Sequence, residues 1–422
     1  MKKKKKFKKP NSFVYAVYRL CSKVISKVKL NLKVTKNELK KKKGPFLLVA
    51  NHESFIDFVS LGAYLPKLSF VVSRSFYNTL PIQKLMSSIG VIPKQQFQTT
   101  PKDLMRMKEV VKNNLPLAIY PAGLMTEQGV STPIPESTGK FVKWMDQDVY
   151  VAKIRGTYLS KPKWSKTWRK GKSTLEVYKL IDKEDLKNLT SEQVYALVEK
   201  ELGFNAYEDQ EQNMIKFKNG DNVVGLDGVL YKCPKCNKEF TIIAKDKNTL
   251  TCTNCGNSCV ADKYGFLNKT KEDDIVFKHP SDWATKIENE LVSEITSTEN
   301  YELADDCQIL LLNAKKHKYQ FAGQGRVTLN KEWLMFDGEI SGEKVKKQIP
   351  SNQYPSLPFT PNSHFEIQDG EISYRIKLKN AVATKTHENK PYKKWPLYDP
   401  VMGRKAVFLV GILANYKIDV CF

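Results

Sequence analysis

His52 and Asp57 stand five residues apart at the end of an apolar run, in LLVANHESFID (residues 47–57). A histidine near its neutral pKa can take a proton from a hydroxyl. A carboxylate beside it can fix its tautomer and stabilise the imidazolium. On one continuous helix that spacing would turn the two side chains about 140° apart. They converge if His52 lies on a loop and Asp57 in the first turn of the following helix. The same residues also have a plainer reading. Ser54-x-x-Asp57 fits a capping box in which Asp57 satisfies a backbone N–H, leaving His52 as a loop residue.

A second group of reactive side chains lies further on. The chain has eight cysteines, and Cys233-Pro-Lys-Cys236 and Cys252-Thr-Asn-Cys255 are separated by fifteen residues. That is zinc-ribbon spacing, in which two knuckles bring four thiolates to one tetrahedral site. No secretion signal precedes the cysteines, which favours metal over disulfides. Four sulfur ligands would close the site, so the expected ion is a structural Zn2+. Cys259 is either an alternative ligand or simply buried. The other histidines, His279, His317, His364 and His387, have no motif around them.

The elements that must position these groups follow from periodicity. Phe46 to Ala50 reads as a short buried strand and Phe55 to Leu65 as a helix. FLLVANH, LSFVVSR, LAIYPAG and DVYVAKIRG read as strands ending in polar residues or glycine, with helical stretches between them such as Pro101 to Asn113. That alternation predicts an α/β core with its site at the strand ends. A small zinc ribbon and a β-rich C-terminal domain follow. The expected layout is a basic tail with an amphipathic helix (1–43), a domain over 44–205, a linker and ribbon over 206–266, and a linker helix with the β-rich domain over 267–422. The β runs and Trp395 faintly resemble a PH-like or GRAM-like barrel.

Charge is concentrated at one end. The net charge is +24, and residues 1–43 hold sixteen Lys and one Arg against one Glu. In SFVYAVYRLCSKVISKVKL, Phe13, Val14, Ala16, Val17, Leu20, Cys21, Val24, Ile25 and Val28 form a helical stripe. Such a helix either packs on its own domain or lies in a membrane interface with its lysines on anionic lipid. The polylysine favours the membrane, with nucleic acid the less favoured partner. Tyr158 to Lys172 interleaves Trp164 and Trp168 with basic residues. It reads as a solvated loop, a membrane-interface segment or a docking site for an acidic carrier protein. No apolar stretch reaches the roughly 18–20 residues that span a bilayer.

With these blocks in place, NHESFID resembles the H-x4-D motif of the glycerolipid acyltransferases, the family of bacterial 1-acylglycerol-3-phosphate acyltransferase. IGVIPKQ (89–95), LAIYPAGLMT (117–126) and VYVAKIRGTY (149–158) are similar to that family's second, third and fourth blocks, in order and spacing. The resemblance implies a glycerolipid-acyltransferase-like mixed α/β domain. It implies His52 as general base and Asp57 as its orienting partner. The donor would be an acyl-CoA or acyl carrier protein thioester. The acceptor would be a lysophospholipid such as 1-acylglycerol-3-phosphate, in phospholipid biosynthesis. Arg74, Lys94, Tyr120, Pro121, Gly123 and Glu127 are then the candidate substrate-binding residues, with backbone N–H groups around Gly123 as oxyanion donors. One departure matters. Where the family has Glu-Gly-Thr-Arg, this chain has Ala122-Gly123-Leu124-Met125, so a phosphate-holding arginine is missing. The expected setting is peripheral or monotopic on the cytoplasmic face of the cell membrane. The alternatives are a non-catalytic lipid-binding scaffold and a zinc-ribbon protein that binds nucleic acid.

Overall fold

The computed structural model describes residues 9–96, 99–351, 357–360, 364–370 and 372–378. The polylysine start, His387, Trp395 and the run AVFLVGILAN lie outside the described residues. The chain divides into two compact units. One holds residues up to Pro162 and 170–217, and the other holds 163–169 and the chain from Lys218 onward.

The first unit is built on a seven-stranded mixed sheet. Its strands are β1 (Lys33–Asn37), β2 (Leu47–Ala50), β3 (Ser69–Ser73), β4 (Ile92–Lys94), β5 (Leu117–Ile119), β6 (Val149–Arg155) and β7 (Thr174–Ile181). Their order is β1-β7-β6-β2-β5-β3-β4. Central β2 is buried along its whole length, as its unbroken Leu-Leu-Val-Ala run requires of a strand covered on both faces. Strands β2 to β6 are linked by parallel pairings, β2 to β5 and β6, β3 to β4 and β5. Their C-terminal ends therefore share one edge. β7 runs antiparallel to β6. β1, which the sequence places in the basic tail, pairs parallel to β7 and extends the sheet.

Helices Pro101–Lys112, Ser137–Met145 and Ser191–Leu202 cover the sheet through Val110, Val142, Val194 and Val198, each fully buried. Each such side chain contributes about 1.5–3 kcal/mol by leaving water. The first of these helices starts where its sequence dictates. Thr100 Oγ1 accepts from the Asp103 N–H (3.2 Å), and Pro101 occupies the first turn.

Helix α1 (Ser12–Leu30) packs on α2 (Asp57–Tyr64). Gly62 makes this approach feasible, since a Cβ there would lie 2.3 Å from the Tyr18 hydroxyl. The side of α1 that faces the domain is not its apolar stripe. Tyr15, Ser22, Ser26 and Leu30 are buried. The Tyr15 hydroxyl accepts from Leu68 N–H, the Tyr18 hydroxyl donates to Phe58 O, and the Arg19 guanidinium donates to Leu65 O. Phe13, Leu20, Val24 and Val28 are 55–77% exposed. The usual inside-out arrangement of an amphipathic helix is reversed.

In the second unit, β8 (Ile242–Ala244), β9 (Thr249–Cys252), β10 (Ser258–Ala261) and β11 (Leu267–Lys269) form an antiparallel sheet carrying the cysteines. Helix Pro280–Ser297 packs Trp283, Ala284 and Ile287 into the same core. Trp164 is also a member of that core, 5% exposed, with the Arg169 guanidinium over its ring. This corrects the reading of that tryptophan as a solvated or membrane-interface side chain. Its ring packs among the residues of that core and is not free to meet solvent or lipid. The β-rich part is a seven-stranded antiparallel sheet, order β15-β14-β13-β12-β18-β17-β16. Its strands are β12 (Glu302–Asn313), β13 (Lys318–Asn330), β14 (Trp333–Ile340), β15 (Glu343–Pro350), β16 (Phe359–Thr360), β17 (His364–Asp369) and β18 (Ile372–Leu378).

Candidate active site

The site grows from the C-terminal end of β2. Asn51 anchors the loop there, its side chain donating to Ile154 O (2.8 Å) and accepting from Ile154 N–H (2.7 Å) on β6. His52 sits on this loop, and Asp57 is the first residue of α2. The helix opens two residues later than its apolar pattern suggests, because residues 53–56 are used in a turn. His52 Nδ1 lies 2.9 Å from Asp57 Oδ2. Ser54 N–H also donates to that oxygen (2.8 Å), and the Thr157 hydroxyl donates to Asp57 Oδ1 (2.8 Å). The Ser54 hydroxyl does not close a capping box but donates to Lys161 O. So Asp57 serves both a backbone N–H and the histidine, and the two sequence readings are not exclusive.

Asp57 is fully buried, whereas the His52 side chain is 18% exposed. A buried carboxylate surrounded by donors accepts from Nδ1–H, which leaves Nε2 with a free lone pair. The ring is held from one face by Tyr120, stacked at 4.2 Å with 23° between planes. The Tyr120 hydroxyl is buried and has no hydrogen-bond partner among the described residues, and burial pushes its pKa well up.

The shared strand edge gathers the other candidates. Tyr120 and Pro121 follow β5, Lys94 ends β4, and Arg74 follows β3. The Arg74 guanidinium donates to buried Asp103 (3.1 Å), with Arg106 also nearby, so its charge is matched within the fold. Burial pushes the Lys94 ammonium pKa down, against the pull of Asp103. Gly123 has a positive φ of 67°, and its N–H donates to Tyr120 O (3.0 Å). The Thr126 N–H donates to His52 O (3.2 Å). Both amides therefore hold the loop, and the Gly123 N–H is not turned toward a reacting oxygen. The Glu127 carbonyl accepts from the Tyr158 hydroxyl. His279, His317 and His364 all belong to the second unit.

Two residues here have no counterpart in the sequence reading. Glu53, next to His52, is fully buried, and burial raises its pKa to about 8. Thr157 reaches Asp57 from a position 100 residues away. Gly156 before it has φ +82°, and a Cβ there would lie 2.7 Å from Lys172 O, so glycine permits the turn out of β6. Glu53 carried a weak signal, an acid inside a buried turn. Thr157 lies in the fourth block, VYVAKIRGTY, but nothing in the sequence marks its contact with Asp57.

The four cysteine sulfurs of 233, 236, 252 and 255 lie within 4.8 Å of one another. Cys233 and Cys255 Sγ are 3.6 Å apart, and Cys236 and Cys252 Sγ 3.8 Å. A zinc–sulfur bond of about 2.3 Å implies tetrahedral edges of about 3.8 Å, so the sulfurs fit such an ion. Cys259 stands outside the group, buried on β10, its thiol pushed up to about 12 by burial.

Residues 31–154 match the family model described as Acyltransferase. The crystal structure of the 1-acyl-sn-glycerophosphate (LPA) acyltransferase PlsC from Thermotoga maritima is 19% identical, with a TM-score of 0.41, over 48% of this chain and 80% of that one. The matched segment contains β2, the His52 loop and the strand edge around it. The family match thus covers residues 31–154 of this chain, the segment that carries the His52 loop.

Proposed function

We propose that the protein moves a fatty acyl group from an acyl thioester to a hydroxyl of a lysophospholipid at a membrane surface. The observation that supports this best is the His52–Asp57 contact, 2.9 Å, inside the family-matched segment. His52 Nε2 takes the proton of the acceptor hydroxyl, and the oxygen attacks the thioester carbonyl. The tetrahedral oxyanion collapses by breaking the carbon–sulfur bond, and the imidazolium returns its proton to the leaving thiolate. The products are an ester and a free thiol, from coenzyme A or an acyl carrier protein.

The acceptor is where this chain differs from its relatives' pattern. Met125 cannot grip a phosphate, and Arg74 is paired with Asp103. Lys94 is the remaining candidate cation at that edge. The test is acyl transfer from a labelled thioester to a panel on anionic vesicles: lysophosphatidate, other lysophospholipids and neutral glycolipids. His52→Ala runs beside the wild type. We expect product from the wild type alone, with the panel ranking the acceptor. No product with any acceptor, while vesicle binding persists, would leave a lipid-binding scaffold.

Membrane attachment rests on α1. No described helix is long and apolar enough to cross a membrane. The exposed stripe of Phe13, Leu20, Val24 and Val28, with Lys23, Lys27 and Lys29 on the same helix, suits lying in the interface. On this reading the protein attaches peripherally or monotopically, with anionic lipid as its partner. A Leu20→Asp/Val24→Asp double variant is expected to weaken binding to anionic vesicles at least ten-fold. Each lost insertion is worth about 1.5–3 kcal/mol. Both residues face away from the domain, so the circular dichroism spectrum should not change. Unchanged vesicle binding would rule the helix out as the anchor.

The four-cysteine group is assigned a structural Zn2+, which would tie the two knuckles together. All four positions are thiolates, so it offers no open coordination site.

A further inference from the structure

Glu53 and Thr157 form the rear of the His52–Asp57 pair. The Thr157 hydroxyl oxygen lies 2.8 Å from Asp57 Oδ1 and 3.2 Å from Glu53 Oε2. One hydroxyl has one hydrogen, and it cannot satisfy two carboxylate oxygens. Both carboxyl groups and the threonine are 0% exposed, so bulk solvent does not reach them. A second proton is required in this trio. Asp57 already accepts from Ser54 N–H and His52, so its oxygens are supplied with donors. Glu53 accepts one backbone N–H, from Tyr158 (3.0 Å), and its Oε1 is buried with no partner among the described residues. The proton belongs on Glu53.

We propose that Glu53 is a neutral acid that donates to Thr157, so that Thr157 must donate to Asp57, and that this relay positions Asp57 and sets the proton affinity of His52. It rests on the acyl-transfer reading for its kinetic consequences, but the protonation of Glu53 does not. Thr157 and Glu53 are positioning residues, since neither reaches the reacting atoms. The charged groups around Glu53 are Arg155 on β6, Asp57 on α2 and Asp209 on helix Ala206–Asn213. Arg155 pairs with Asp209 at 2.7 Å, which limits its help to an ionised Glu53. Burial is the largest cause of the raised Glu53 pKa, and Asp57 adds to it.

Two sets of measurements test the relay. The first needs no activity. In the infrared difference between wild type and Glu53→Gln at pH 7, a buried protonated-carboxyl band should be present. Thermal unfolding supplies the linked readout. The folded pKa, about 8, lies above the ordinary 4.5. The neutral acid therefore favours the fold at low pH, and that advantage is lost as pH rises through 8. Between pH 6 and 9 the wild type should lose melting temperature relative to Glu53→Gln. Absence of the band together with parallel melting curves would overturn the proposal.

The second set uses the pH profile of kcat/KM. Without the Thr157 hydroxyl, Asp57 has one donor fewer and holds the imidazolium more strongly. Thr157→Val should therefore shift the acid limb to higher pH and lower kcat/KM at least ten-fold at pH 7. Thr157→Ser should restore the wild-type limb. A Thr157→Val protein that loses activity with an unshifted limb, or that serine fails to rescue, would reduce Thr157 to a packing residue. A wild type with no transfer activity would sink the functional reading and leave the infrared and melting results to judge Glu53.

Discussion

His52→Ala is expected to lower kcat/KM for acyl transfer by about 10³-fold or more while leaving the fold intact, and Asp57→Asn to cost nearly as much activity and some stability besides. A positioned general base contributes about 10² to 10⁴ in rate. The loss should fall at the upper end here, because no other histidine of the matched segment can substitute. The two variants differ in what they leave behind. His52 is partly exposed, and without it Asp57 keeps the Ser54 N–H and the Thr157 hydroxyl. Asp57 is buried under three donors, and an asparagine amide turned toward any of them sets donor against donor. One buried donor left unmade costs about 1–3 kcal/mol. The wrong histidine tautomer in a comparable pair costs about 10⁴ in rate. Single-turnover kinetics and thermal melting, measured on both variants, separate the two effects. Equal activity in wild type and His52→Ala would remove the dyad from the mechanism.

If the four-cysteine group holds zinc as proposed, removing the metal is the second large effect. A strong chelator, or Cys233→Ser with Cys255→Ser, is expected to unfold the cysteine-bearing sheet and abolish its contribution to thermal stability. Apparent zinc-binding energies for four-ligand structural sites are about 10–16 kcal/mol at neutral pH. That exceeds what a sheet with strands of three or four residues can supply. Cys233 and Cys252 are part of the same buried cluster as Trp164, Leu230 and Trp283, so their loss spreads into the helix Pro280–Ser297. Metal analysis should give one zinc per chain, and none in the double variant. Limited proteolysis after chelation should cut first between 230 and 270. Resistance to chelation with no bound metal would show that the thiols pack without an ion.

Much of the site was legible because it is local. The buried strand, the polar stop after it, the five-residue spacing of His52 and Asp57, and the paired cysteines each depend on contacts within a few tens of residues. Hydrophobic period and turn chemistry report such contacts directly. The Thr100-Pro101 start of its helix was local in the same way.

Contacts across long separations were another matter. The stripe on α1 shows which residues share a face, but periodicity carries no information about which face is covered. Hydroxyls of Tyr15 and Tyr18 and the Arg19 guanidinium bind carbonyls and an amide around residues 58–68, and that turns the apolar side outward. Trp164 entered the core beside the cysteines, Arg74 found Asp103, and Thr157 closed on Asp57 through folding alone. The Arg74 and Thr157 pairings follow from strand order, since parallel strands carry their loops to one edge whatever their distance along the chain. The chain's residues specify the reacting groups and their immediate supports. The sheet chooses their neighbours, because a buried carboxyl's proton depends on whatever donors the fold brings within 3 Å or so of it.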